Sequence, residues 1–207
     1  MIKNKWREDD AFNVRQYTEL LETHGLNHQS LDWGSERSQH KRFKILAEIG
    51  LTDNDSVLDI GCGLGDLFGW LKMHDYKNIQ YKGIDITDAL IKQAQVKYPS
   101  AVFESVNVLE GNYTTQFDYV FASGVFAKRN TDTANFAKTM IEKMFSFAQK
   151  GVAFNSLSSL SENLSADDNS LDPYGLLDFC RNLSPWTILR MDYHPHDFTI
   201  YIKREQS

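Results

Sequence analysis

The chain has 207 residues, a net charge of -6, 42% hydrophobic and 24% charged residues. That is long enough for one full α/β domain with a sizeable core. No apolar run is long enough to cross a bilayer, and an acidic balance lacks the basic footprint of a non-specific nucleic-acid binder. Neither a membrane nor a nucleic acid is therefore expected as a partner. The two cysteines, Cys62 and Cys180, are too few for a disulfide framework and read as buried free thiols. The N-terminal residues Met1 to Asp9 are partly basic but lead into no apolar stretch, so they do not read as a signal peptide. A cytoplasmic location is expected.

Two helices come first. One is predicted over Asp10 to His24, with Phe12, Tyr17, Leu20 and Leu21 apolar and Gly25 as its C-cap. After a loop at 28–34, Ser35 is placed to N-cap a second helix that runs to Ile49 and is closed by Gly50. Phe43, Leu46, Ala47 and Ile49 give that helix a core-facing stripe. Its basic set, Arg37, His40, Lys41, Arg42 and Lys44, reads as a solvated face from which one arginine can turn inward.

From Asp55 the pattern alternates. Strands are predicted near Ser56–Ile60, Gln80–Asp85, Val102–Val106, Phe117–Ala122 and Gly151–Asn155. Helices are predicted near Leu64–His74, Thr87–Lys97, Asp132–Gln149 and Pro173–Leu183. This implies an α/β fold with a mostly parallel sheet and helices on both faces. Two strands end the chain, Trp186–Tyr193 and Phe198–Lys203. The link between them is too short for a crossover helix, so they must pair antiparallel.

The chemistry centres on Val57-Leu58-Asp59-Ile60-Gly61-Cys62-Gly63-Leu64-Gly65-Asp66. A buried strand stops at three alternating glycines, and a helical pattern follows. Glycine there lets a ligand approach the backbone closely. About twenty residues on, the second strand ends at Asp85, a carboxylate able to accept both hydroxyls of a ribose. A dinucleotide site would want G-x-G-x-x-G. Here the third glycine comes one place early, and Asp66 stands where that glycine belongs, a poor neighbour for a diphosphate.

Asp59-x-Gly61-x-Gly63-x-Gly65, Gly83-Ile84-Asp85-Ile86 and the segment Phe117 to Phe126 resemble the successive motifs of the class I S-adenosylmethionine-dependent methyltransferases. The resemblance spans about Leu51 to Arg204. It implies a Rossmann-like seven-stranded sheet of order 3-2-1-4-5-7-6 with the last strand antiparallel. Residues 51–207 would form the core, and residues 1–50 a helical cap of the same domain. It also implies S-adenosylmethionine as methyl donor and S-adenosylhomocysteine as product. Trp33-Gly34-Ser35, Gln39, Arg42-Phe43 and His196-Asp197-Phe198-Thr199 are similar to a bacterial subgroup of small methyltransferases, which implies no particular substrate.

Carried over residue by residue, the resemblance implies that Gly61, Cys62 and Gly63 lie against the methionyl and ribose part. Asp85 would bind the ribose, and Ile86 would pack on the adenine. Asn107 stands, beside Val108, where the family often has an Asp that accepts from the adenine amino group. Ser123 and Gly124 sit where a loop carbonyl meets the methionyl ammonium. Arg42 is the first choice, and Arg37 the second, to hold the methionyl carboxylate. Tyr17, Trp33 and Phe126 are candidates to line the acceptor pocket.

Methyl transfer needs alignment and, for an acidic acceptor, a base. His196, His194 and Asn155 are the polar groups expected to serve. The six histidines are scattered, which suggests no metal site. The segment Ala122 to Phe126 lacks the Asn/Asp-Pro-Pro-Tyr/Phe loop of the enzymes that methylate base amines or glutamine. A small-molecule acceptor is the leading expectation. A protein or RNA O- or C-methyltransferase, or a non-catalytic protein that binds S-adenosylmethionine, stands as the alternative.

Overall fold

The computed structural model describes residues 6–110, 113–128, 130–162 and 169–205. Residues 1–5 of the basic N-terminal segment lie outside the described residues. Six helices and seven strands alternate along the described chain: α1 Arg7–His24, α2 Glu36–Ala47, β1 Ser56–Ile60, α3 Asp66–Met73, β2 Gln80–Asp85, α4 Asp88–Lys97, β3 Val102–Ser105, β4 Phe117–Ser123, α5 Thr133–Phe147, β5 Ala148–Leu157, α6 Pro173–Leu183, β6 Thr187–Arg190 and β7 Asp197–Lys203.

The strands form one sheet of order β3-β2-β1-β4-β5-β7-β6. β1 to β5 are parallel neighbours, and β7 runs antiparallel to both β5 and β6. Period-two alternation sorts the core onto the two faces. Leu58, Ile60, Val120, Ala122, Val152 and Phe154 pack with α5 and α6. Val57, Tyr119, Phe121, Ala153 and Tyr201 pack with α2, α3 and α4. Asp59 shares the parity of Val57 and so turns toward the second layer.

The caps follow local chemistry. Ser35 accepts the Ser38 N–H at 3.1 Å and starts α2, while Gly25 closes α1 with φ +69°. Thr87 holds the N-cap of α4, although its side chain makes no capping hydrogen bond. Several boundaries differ from expectation, among them the start of α1 at Arg7 rather than Asp10 and the end of β5 at Leu157 rather than Asn155. α5 passes straight into β5 at Ala148, three residues early. Phe147 and Ala148 are both buried, and that run satisfies either pattern. β6 has four residues rather than eight. It is an edge strand whose ladder ends at Arg190, opposite Thr199, where the Arg190 side chain pairs with Asp192 and Glu48. Cys62 and Cys180 are buried free thiols, both pushed above their ordinary pKa by burial, Cys180 to about 12.

Candidate active site

The carboxyl ends of β1, β2, β4 and β5 open on a cavity of about 320 Å³, within the range of small-molecule sites. This is where an open α/β sheet offers a crevice. Gly61 and Gly63 form one wall, with φ of +72° and +54°. A Cβ on Gly61 would lie 2.5 Å from a Val125 methyl, and one on Gly63 2.7 Å from Leu31. The turn therefore needs glycine for conformation and for space alike.

Its N–H groups face inward. Gly61 and Cys62 donate to the Ile84 carbonyl at 2.8 and 3.1 Å, Gly65 donates to the Cys62 carbonyl at 2.9 Å, and Gly63 donates to Asp85 Oδ2 at 3.0 Å. What the turn offers a ligand is close-approach surface rather than anion-binding donors. That is the physical reason a diphosphate does not suit it. Asp66 is not the reason, because it lies outside the described lining. Its carboxylate accepts from Lys97 Nζ at 2.6 Å and from Gln39 at 3.1 Å.

Asp85 sits on the cavity wall, with Oδ1 accepting the Thr87 N–H at 2.8 Å. Burial raises its pKa above the usual carboxylate value, against the lowering effect of the Thr87 and Gly63 N–H groups. Beyond it, Ile86, Leu90, Val106 and Val108 line an apolar slot with Asn107 at its edge. Opposite, Asn155 organises the loop after β4. Its Oδ1 accepts the Gly124 N–H at 3.0 Å, and its amide donates to Ser123 Oγ at 3.0 Å.

The N-terminal segment closes the cavity. Leu31 presses on Gly63, and Trp33 lies 3.0 Å from where a Gly124 Cβ would be. Lys128 pairs with Asp32, which takes the left-handed conformation at φ +57°. The ammonium also lies 5.7 Å from the Tyr17 ring. Desolvation and the charges of Asp85 and Asp32 hold the Tyr17 phenol well above its ordinary pKa. The cavity fits S-adenosylmethionine on its own chemistry: a strand-end carboxylate for a diol, glycine surface where a Cβ would intrude, and an apolar slot for a flat base.

The sequence pattern of a methyltransferase domain matches residues 51–183. The chain belongs to the methyltransferase-domain family. It is an S-adenosylmethionine-dependent methyltransferase of the class I fold. It is similar to a Mycobacterium tuberculosis protein named as a methyltransferase, 26% identical over 163 residues that cover 75% of this chain and 97% of that one. A shorter match, 32% identical over 98 residues, joins 47% of the chain to 38% of the trans-aconitate 2-methyltransferase of Rhodopseudomonas palustris. Among solved structures, the magnesium protoporphyrin IX methyltransferase of Synechocystis with bound S-adenosylhomocysteine has a TM-score of 0.66 at 14% identity, covering 96% of this chain and 97% of that one. A DhpI complex with S-adenosylhomocysteine gives 0.63 at 14% identity, covering 94% of each chain.

In this methyltransferase several residues expected at the site stand elsewhere. His196 and His194 belong to the turn before β7. Asp197 pairs with Leu157 there, so the turn lies at the cavity end of the sheet. Neither histidine is in the described lining. His196 Nδ1 meets Ser161 Oγ at 2.7 Å, and His194 Nδ1 lies 3.5 Å from Asp197. Burial lowers the His194 pKa. Phe126 is a core residue, 1% exposed and edge-on to Phe154, rather than a pocket wall. Cys62 and Gly65 face the layer beneath, where a Gly65 Cβ would meet Phe103. Arg37 lines an outer groove instead.

Arg42 does turn inward to the cavity, but its charge is engaged. Nη2 lies 2.5 Å from Asp197, Nη1 donates to Ser38, and the guanidinium is 4.8 Å from the Trp33 ring. It is a strut rather than a ready receptor for the methionyl carboxylate. Among the described residues no group of three or more His, Cys, Asp or Glu is placed to hold a metal ion, and no helix is long and apolar enough to cross a membrane.

Asp59, the first residue of the glycine motif, is outside the described lining and is 3% exposed. It accepts from Tyr81 Oη at 2.6 Å, and burial pushes its pKa up to about 7 from 3.8. The folded chain therefore keeps a proton that the unfolded chain releases, and stability falls as pH rises from about 4 to about 7. Asp59→Asn removes that dependence. Denaturant unfolding should show the variant gaining about 2–4 kcal/mol on the parent between pH 4 and pH 8. The fixed cost of an orphaned amide N–H cancels in that difference. A pH-independent gap between the two proteins would mean that Asp59 ionises like an exposed carboxylate.

Proposed function

We propose that the methyltransferase moves the methyl group of S-adenosylmethionine to a small-molecule acceptor held beneath the N-terminal segment. The observation that carries this reading is the closure of the cavity. Leu31 and Trp33 lie directly on the glycine turn and on Gly124 and confine the cavity to the scale of small molecules. S-adenosylmethionine brings an already activated methyl on its sulfonium. In this reading Asp85 accepts the ribose hydroxyls, Gly61 and Gly63 admit the sulfur end, and Asn155 holds Ser123 and Gly124 in position. The acceptor lies toward Trp33, Ser38 and Ser156. With His194 and His196 outside the described lining, the chain contributes alignment rather than a histidine base.

Charge supports the same reading. The described lining carries Asp10, Asp32, Asp85 and Asp197 against Lys128 and Arg42, and both cations are paired. A polynucleotide would bring phosphates to carboxylates. The partial match to trans-aconitate 2-methyltransferases is a precedent for a metabolite acceptor. A tricarboxylate, however, meets no unpaired cation among the described lining residues, which favours a neutral or cationic acceptor. The test is label transfer from methyl-tritiated S-adenosylmethionine, offered separately to a metabolite extract, total RNA and total protein. Label should appear in the metabolite fraction, and labelling confined to RNA or protein would sink the proposal.

A further inference from the structure

α1 is unlike a core helix. Asp9 is its one buried residue, and the face it turns to the cavity carries Asp10, Asn13 and Tyr17, spaced three and four apart. That spacing puts the three side chains on one side of the helix. The helix is fixed in place at its amino end. Asp9 accepts from both the Thr131 N–H and hydroxyl at 2.9 Å, and Trp6 packs edge-on to Phe136 at 5.3 Å. Arg7 Nε reaches Glu110 Oε1 at 2.9 Å. α1 is thus tied to the loops after β3 and β4, beside the apolar slot.

The edge of that slot has a defined polarity. Asn107 Oδ1 accepts the Leu109 N–H at 3.0 Å, and its amide nitrogen donates to Asp10 Oδ2 at 2.9 Å. These partners fix which way the amide points, since a backbone N–H needs an acceptor and a carboxylate needs a donor. The Asn107 oxygen is therefore committed to its own loop. Beside it at the slot's edge stands the Asp10 carboxylate, which α1 carries in from outside the matched domain. A flat heterocycle lying against Ile86, Val106 and Val108 would present its rim to a carboxylate acceptor and an amide donor side by side. An exocyclic amine next to a ring nitrogen is the complementary edge.

We infer that Asp10 accepts the exocyclic amino group of adenine, so that α1 completes the base site which the core leaves to Asn107. The inference rests on the assignment of Asp85 to the ribose. An Asp85→Ala protein that kept its S-adenosylhomocysteine affinity would remove that basis, whatever Asp10 does. The direct test is calorimetry with S-adenosylhomocysteine and S-inosylhomocysteine, in which an oxo group replaces the amino group. A carboxylate repels the oxo group, so the native protein should prefer the adenosyl form by at least about tenfold. Equal affinities would overturn the proposal with no variant needed. Asp10→Asn keeps the shape and can donate to an oxo group. It should weaken the adenosyl ligand about tenfold or more while leaving the inosyl ligand unchanged or tighter. A loss shared equally by both ligands would assign Asp10 a purely structural role and overturn the inference, as would no loss at all.

Discussion

Replacing Asp85 by alanine is expected to weaken S-adenosylhomocysteine binding by about 10²–10⁴-fold, the scale of two charge-assisted hydrogen bonds to the ribose diol. The carboxylate is held ready for that role. Each oxygen already accepts one backbone N–H, from Gly63 or from Thr87, and a carboxylate oxygen has capacity for a second donor. The same two bonds tie the glycine turn of β1 to the start of α4. The variant should therefore also lose about 1–3 kcal/mol of stability from the stranded N–H groups. Asp85→Asn keeps one acceptor oxygen and should fall between the two.

The pH dependence has a definite sign. The ionised form is the acceptor, and burial raises the Asp85 pKa above 3.8. Affinity should therefore decline on acidification at a higher pH than for an exposed aspartate. The alanine variant should show no such decline. Calorimetric titration at several pH values checks both points. An alanine variant within about threefold of the parent would leave less than a single weak hydrogen bond to account for, and the ribose assignment would fail.

The sheet was legible because its signals are local and redundant. β1, β2 and β4 each end at a glycine or a carboxylate, and the six-residue link at 191–196 admits only an antiparallel turn. Asp85, Ser123, Gly124 and Asn155 line the cavity for the same reason, since strand ends collect at one edge of such a sheet. The losses come from direction. Asp59 lies in the glycine motif by sequence but shares the parity of Val57 and so faces the other layer, and Cys62, past the end of β1, is turned into that same layer. His196 precedes β7 at the right end of the sheet, yet its ring turns to Ser161. Asp10 carries no such signal, because an apolar stripe marks a core face and the inward face of α1 is polar. Its mark in the sequence is the spacing of Asp10, Asn13 and Tyr17.

Asp197→Ala is expected to lower stability by about 3–5 kcal/mol, because it leaves the Arg42 guanidinium buried without its counter-charge. The two side chains are only 8% and 2% exposed. They join α2 to the first residue of β7, and Ser38 and Trp33 complete the surroundings of the guanidinium. For a chain of this size the melting temperature should fall by about 6–20 °C. Arg42→Leu should cost a similar amount by stranding the carboxylate. The double variant, Arg42→Leu with Asp197→Leu, should lose clearly less than the sum, since it removes both buried charges together. The unpaired guanidinium of Asp197→Ala also faces the cavity. Citrate should raise the melting temperature of that variant more than sodium chloride of equal ionic strength does, and should not do so for the parent. That contrast ties the ion pair to acceptor choice, because Asp197 then does two things at once. It locks α2 to the sheet, and it keeps a cation on the cavity wall from recruiting carboxylates. A variant that melts within about 2 °C of the parent would put the pair at the energy of an exposed salt bridge and undo both roles.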